Sequence, residues 1–215
     1  MYKVALFDLD GVVFNTEPLY TQFWSEIFRK YYPKQPDLAE RIKGQTLTQI
    51  YEKYFQDREE VQREITQKLD AFEREMNFRY IRGFEMFLSD LKRRGIRCAV
   101  VTSSNRVKME NVYRKRPEFK EMFDRILTAE DFAKSKPDPD GYLKGAEWFD
   151  AKPSECIGFE DSLNGLKAVR AAGMTVVGLA TTNPASEIVP LSDVVISDYA
   201  DLDFEKLCNL LSGSH

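Results

Sequence analysis

Two carboxylates one residue apart, Asp8 and Asp10, follow the apolar run Val4-Ala5-Leu6-Phe7 and precede Gly11. The run reads as a buried strand, so both acids emerge at the carboxyl edge of a sheet while Leu9 between them faces the other way. Acids placed like this suit a nucleophile and its proton-transfer partner. Like charges gather only at a cost unless a cation joins them, and hard oxygen donors favour magnesium. The pair therefore predicts a divalent metal site, against the plainer alternative of a solvated acidic turn.

Three further segments give the pair a context. Arg97-Cys98-Ala99-Val100-Val101 is a second apolar strand that runs into Thr102, Ser103 and Ser104 just before a helical pattern. Those hydroxyls and the backbone N–H groups after them can hold a phosphate, or simply cap the helix. Next, Lys136 is set in Ser135-Lys136-Pro137-Asp138-Pro139, where two prolines stiffen the chain around one ammonium. A lysine fixed in this way can neutralise phosphoryl oxygens, although a surface turn would also accept it. Finally, Ile157-Gly158-Phe159 ends on Glu160 and Asp161 and opens a helix. If the strands are parallel, these acids face Asp8 and Asp10 along one edge and close a metal site; otherwise they complement a helix dipole.

The elements that must position these groups alternate along the chain. From Gly83 onward the pattern predicts helix 84–94, strand 96–101, helix 105–115, strand 125–128 and helix 139–149. Strand 155–159, helix 162–172, strand 174–179, a short strand 193–196 and a last helix 201–211 follow. Such alternation implies a doubly wound, mostly parallel α/β sheet of Rossmann-like kind, with helices on both faces. Residues 16–80 break the alternation with charged, aromatic, helical sequence and read as an inserted α-helical cap, leaving 1–15 and 81–215 as the core. One cap helix is marked by Phe23, Trp24, Ile27 and Phe28, a second by Leu47, Ile50, Tyr51, Tyr54 and Phe55, and a third by the stripe Val61, Ile65, Leu69, Phe72 and Met76. The loop from Arg41 to Thr46, carrying Lys43, is placed to reach a substrate. Phe14-Asn15-Thr16 and the stretch from Arg79 to Gly83 would be the two linkers of a hinge that lets the cap close and reopen.

Bulk properties narrow the chemistry further. The 215 residues carry a net charge of -4, which argues against a nucleic-acid partner and for a small ligand. Cys98, Cys156 and Cys208 are widely spaced in apolar patterns and read as buried free thiols, in keeping with a reducing cytoplasm. No signal-peptide pattern opens the chain and no apolar run approaches membrane-spanning length, so neither export nor a membrane partner is expected. The single histidine, His215, is the last residue. Histidine-dependent nucleophiles and zinc sites therefore lack their imidazole, and acid–base work falls to carboxylates.

The four motifs, in this order and spacing, resemble the haloacid dehalogenase superfamily of phosphohydrolases, in the branch with a helical cap that contains β-phosphoglucomutase and small sugar-phosphate phosphatases. The resemblance implies a magnesium-dependent phosphatase working through an aspartyl-phosphate. Asp8 would be the nucleophile, Asp10 the general acid and then base, and Lys136 the charge-neutralising residue. Gly11, Thr102 and Ser103 would receive the phosphate, with Lys43 reaching in from the cap. The metal would be held by the Asp8 carboxylate, the Asp10 main-chain carbonyl and Asp161, with Glu160 acting directly or through water. Tyr20 and Leu47 stand where the mutases usually carry a histidine and an arginine, and Asn15 where relatives often have aspartate. The expectation is accordingly hydrolysis of a small phosphate ester, most simply a sugar phosphate. The alternatives are a phosphosugar mutase and a non-catalytic module that binds a phosphorylated ligand. Oligomeric state is not legible.

Overall fold

The computed structural model describes residues 2–213; His215, singled out above, lies outside the described residues. Six strands form one sheet in the order β3-β2-β1-β4-β5-β6, with every neighbouring pair parallel. They are β1 (Val4–Phe7), β2 (Arg97–Val101), β3 (Arg125–Leu127), β4 (Cys156–Glu160), β5 (Thr175–Leu179) and β6 (Val194–Ile196). Strand β1 is buried throughout and runs between β2 and β4. The strand order reverses at the β1–β4 step, which opens the crevice where doubly wound sheets place their ligands.

Alternation along β1 sends Ala5 and Phe7 to one face of the sheet and Val4 and Leu6 to the other. On the first face Phe7 stacks on Phe159 with centroids 4.4 Å apart. Helices α5 (Phe84–Arg93), α6 (Arg106–Lys115), α7 (Phe119–Met122) and α11 (Phe204–Ser212) cover that face. The other face is covered by α8 (Asp140–Trp148), α9 (Leu163–Ala171) and α10 (Ala185–Ile188).

Between β1 and α5 the chain forms only helices: α1 (Glu17–Tyr31), α2 (Leu38–Arg41), α3 (Leu47–Tyr54) and α4 (Glu59–Glu75). They enclose an apolar cluster of their own around Phe28, Phe55 and Ile65. The two crossings run side by side. Asn15 N–H donates to the Arg79 carbonyl at 2.8 Å and Ile81 N–H to that of Val13 at 2.9 Å.

Some boundaries differ from the sequence pattern. The last helix starts at Phe204 rather than near 201, because the Asp203 side chain accepts the Lys206 N–H at 2.8 Å and caps it. Helix α4 ends at Glu75, so Met76 reaches the core from extended backbone just beyond the helix. Short α2, α7 and α10 span about one turn each, too little for a periodicity to register. Cys98 and Cys156 are buried free thiols, whereas Cys208 is only half-buried because α11 lies at the surface. No helix among the described residues is long and apolar enough to cross a membrane.

The Phe28 ring lies 5.4 Å from Tyr54 and 5.7 Å from Trp24, at the centre of the helical insert. Phe28→Ala should therefore remove about 3–5 kcal/mol from the folding of the insert. Urea unfolding followed by tryptophan fluorescence reads this directly, since Trp24 belongs to the same cluster.

Candidate active site

In the β1–β4 register Phe7 pairs with Phe159, so Asp8 and Glu160 leave the sheet side by side. The ligand atoms of Asp8, Glu160 and Asp161 lie within 4.8 Å of one another. Glu160 and Asp161 are almost wholly buried. Lys136 joins this group from the loop after β3. Its Nζ stands 2.5 Å from Asp8 Oδ1, 2.5 Å from Glu160 Oε1 and 3.1 Å from the Val101 carbonyl oxygen.

Neutral donors complete the group. Tyr142 donates its hydroxyl to Glu160 Oε1 at 2.6 Å, and the Thr182 hydroxyl donates to Asp161. Gly11 sits at φ +73°, and a Cβ there would overlap the Asp161 carboxylate, so both backbone and space call for glycine. Burial pushes the Asp8 carboxyl up to about 7; Lys136 opposes that shift and Glu160 and Asp10 add to it. Asp161 is raised well above the carboxylate range, first by burial and then by Glu17 and Asp8. Burial also works against the Lys136 ammonium, but Asp8 and Glu160 outweigh it and hold its pKa above the ordinary value.

Three carboxylates against one ammonium leave two negative charges when all are ionised, the balance that one divalent cation supplies. The all-oxygen donor set suits magnesium. Glu160 already receives Lys136 and Tyr142 on one oxygen, and its other lies 3.3 Å from the Asp161 N–H.

The Asp10 carboxylate lies outside this group. Its Oδ1 accepts the Thr16 hydroxyl at 2.5 Å, and its Oδ2 accepts Ser104 at 3.2 Å and Lys108 Nζ at 2.5 Å. A cavity of about 260 Å³ opens above both sets of acids, between the sheet edge and the helical insert. Thr102, Ser103 and Lys43 line it, together with Tyr20, Leu47 and Glu17. Thr102 is buried and its Oγ1 accepts the Ser104 N–H at 3.0 Å, which shapes the turn after β2. Lys43 is paired with Glu40 at 2.6 Å. Its loop packs on the opposite wall of the cavity: a Cβ on Gly44 would come 2.6 Å from Ser162 Cβ.

A site of this composition at this point of a parallel sheet invites comparison with known proteins. The family profile described as haloacid dehalogenase-like hydrolase matches residues 5–179. The chain belongs to this family. With membership comes the expected enzyme class, a phosphoric monoester hydrolase of the haloacid dehalogenase type. Validoxylamine A 7'-phosphate phosphatase of Streptomyces hygroscopicus subsp. limoneus is 28% identical, over 94% of this chain and 96% of its own length. β-Phosphoglucomutase of Bacillus subtilis is 28% identical, over 95% and 93%. A bifunctional riboflavin kinase/FMN phosphatase of Arabidopsis thaliana is 29% identical across 94% of this chain, which spans only 55% of that protein. The crystal structure of a family IA, variant 3 hydrolase from Entamoeba histolytica superposes with a TM-score of 0.83 at 22% identity, covering 98% of this chain and all of the other.

Several residues of this haloacid dehalogenase-like site escape a motif reading. Lys108 lies in the first turn of α6, where a cation opposes the helix dipole, and that misfit is the only trace it leaves in the sequence. Thr182 belongs to a polar triplet just beyond β5, at the same sheet edge as the acids. Glu73 continues the Ile65–Leu69 stripe by one more step of four and is buried with it, where it accepts the Tyr20 hydroxyl at 2.7 Å.

The raised Asp8 carboxyl has a thermodynamic consequence. A carboxylate whose pKa rises on folding leaves the folded state more stable while protonated, and that stability is lost as pH climbs from about 4 to about 7. A divalent cation reverses the loss by favouring the ionised form. Magnesium should therefore raise Tm, and raise it more near pH 8 than near pH 5. Calorimetric scans with and without chelator check this, and an equal shift at both pH values would contradict it.

Proposed function

We propose that the chain is a magnesium-dependent phosphatase that hydrolyses a small phosphorylated metabolite, most simply a sugar phosphate, through an aspartyl-phosphate on Asp8. The observation that carries this reading is the division of the acids into two sets. Asp8, Glu160 and Asp161 share one space with Lys136, while Asp10 is held apart on the cavity wall. The first set suits a nucleophile beside a metal, the second a proton carrier.

In the first step Asp8 attacks phosphorus in line, an Asp8–phosphorus bond forms, and the bond to the leaving oxygen breaks. Asp10 gives its proton to that oxygen. In the second step Asp10 takes a proton from water as the water oxygen attacks phosphorus, and phosphate leaves with Asp8 restored. Lys136 keeps Asp8 oriented and offsets charge on the phosphoryl oxygens. Thr102, Ser103 and the turn at Gly11 receive the phosphate. Asp8, Asp161 and the Asp10 carbonyl would hold magnesium, with Glu160 acting directly or through water. When bound, the metal offsets repulsion between the attacking carboxylate and the phosphate.

Residues 16–80 act as a cap in this reading and the paired linkers as its hinge, with Lys43 on the closing surface. The cavity lining contains no arginine, Leu47 offers only apolar surface and the Tyr20 hydroxyl is engaged by Glu73. These features favour hydrolysis over a mutase, which must grip a second phosphate. Buried free Cys98 and Cys156 accord with a cytoplasmic location.

Asp8→Asn should abolish turnover while circular dichroism stays unchanged; retained activity would remove the nucleophile assignment. The substrate test supplies magnesium, β-glucose 1-phosphate and trace bisphosphate, and follows free phosphate and glucose 6-phosphate separately. Phosphate release alone supports the phosphatase, whereas glucose 6-phosphate formation would establish the mutase. Absence of magnesium-dependent hydrolysis of any ester, aryl phosphate included, would leave a binding module.

A further inference from the structure

Lys108 is 5% exposed, so its ammonium is removed from water and must be stabilised by what surrounds it. From the core it meets Asp10, at 2.5 Å. From the helical insert it meets the Tyr20 ring, with Nζ 4.7 Å from the centroid, and the field of Glu73, whose carboxylate holds the Tyr20 hydroxyl. One buried cation thus joins a core carboxylate to a carboxylate and an aromatic ring of the insert. Packing alone does not call for this, because an apolar side chain would fill the same space without a desolvation cost.

Asp10 already has two neutral donors, Thr16 and Ser104. Lys108 adds charge, and charge decides where Asp10 rests. Asp8, Glu160 and Asp161 form a sink for cations one residue away, and a mobile Asp10 carboxylate would be drawn to any cation bound there. A carboxylate so engaged is lost as a proton carrier. We propose that Lys108 is a positioning residue of the hydrolysis: it anchors the Asp10 carboxylate on the cavity wall beside the leaving group, and Glu73 and Tyr20 anchor Lys108 in turn. The inference rests on the phosphatase reading and deepens it. It also makes the alignment of Asp10 depend on the insert being docked against α6.

The test uses the full chain with magnesium, the variants K108M, K108R and E73Q, and two esters: p-nitrophenyl phosphate and a sugar phosphate. Nitrophenolate leaves without help from an acid, so its burst reports the first step and its steady-state release the second; the sugar alcohol needs Asp10 to leave. K108M should lower kcat on the sugar phosphate by about 100-fold or more, within the range of general acid–base contributions, with KM changed by less than about threefold. On the aryl ester it should keep a burst of about one nitrophenolate per active site and then turn over slowly, because the second step still needs Asp10. K108R should recover about tenfold of the loss, and E73Q should show the same pattern in weaker form. K108R and E73Q carry the test if K108M does not fold.

Loss of the burst in step with steady-state turnover would mean general damage and overturn the inference, as would wild-type kcat on the sugar phosphate in folded K108M. A wild-type protein that turns over neither ester would overturn the phosphatase reading itself, and the inference with it. An active wild type with indifferent variants removes only the inference.

Discussion

Like charges brought together by backbone geometry are the constraint on which this structure turns. Parallel pairing of β1 with β4 fixes Asp8 beside Glu160 and Asp161 before any side chain has a choice of rotamer. Much of the surrounding sequence answers that crowding. Lys136 bridges two of the three acids, Tyr142 and Thr182 supply neutral donors, and Gly11 leaves room for the Asp161 carboxylate. When all three acids are ionised, a negative charge remains that a cation from solution would offset. A cation bound there would couple folding to binding at one point, because the sheet that stabilises the core also creates the charge it would relieve.

The same edge separates two kinds of acid. Asp8 and Asp10 are next-but-one neighbours in the chain, yet one lies in the shared group and the other is turned to Lys108. The turn at Gly11 begins directly after Asp10 and returns the chain toward the insert, so Asp10 is the last residue that answers to the sheet and the first that answers to the helices. A side chain placed there feels both bodies at once. The partners of Asp10 follow this order: Thr16 at the start of the insert, Ser104 after β2 and Lys108 on the helix that the insert covers.

Sheet, helical insert and acid group were legible in the sequence because each depends on where strands end. Once β1, β2 and β4 are recognised as parallel, their carboxyl ends must share an edge, and the residues there need no further argument to meet. What stayed hidden depends on packing between segments far apart in the chain. Lys108 shows only as a cation in the first turn of a helix, and its partner Tyr20 lies in the insert packed against that helix. Glu73 interrupts an apolar stripe for no local reason, and its reason is Tyr20 on another helix. The start of α11 departs by a few residues from the hydrophobic spacing because a capping aspartate outweighs that spacing at a helix end. Short helices such as α2 and α7 owe their shape to neighbours rather than to their own period.

The side-by-side linkers at Asn15–Arg79 and Val13–Ile81 carry one more consequence. The helical insert leaves and re-enters the sheet at adjacent points, so for the sheet it is topologically a side loop. Its length, its sequence and its tilt place no demand on the register between β1 and β2. The helical insert can therefore vary as a detachable module, while the acid group stays under the geometric discipline of the strands.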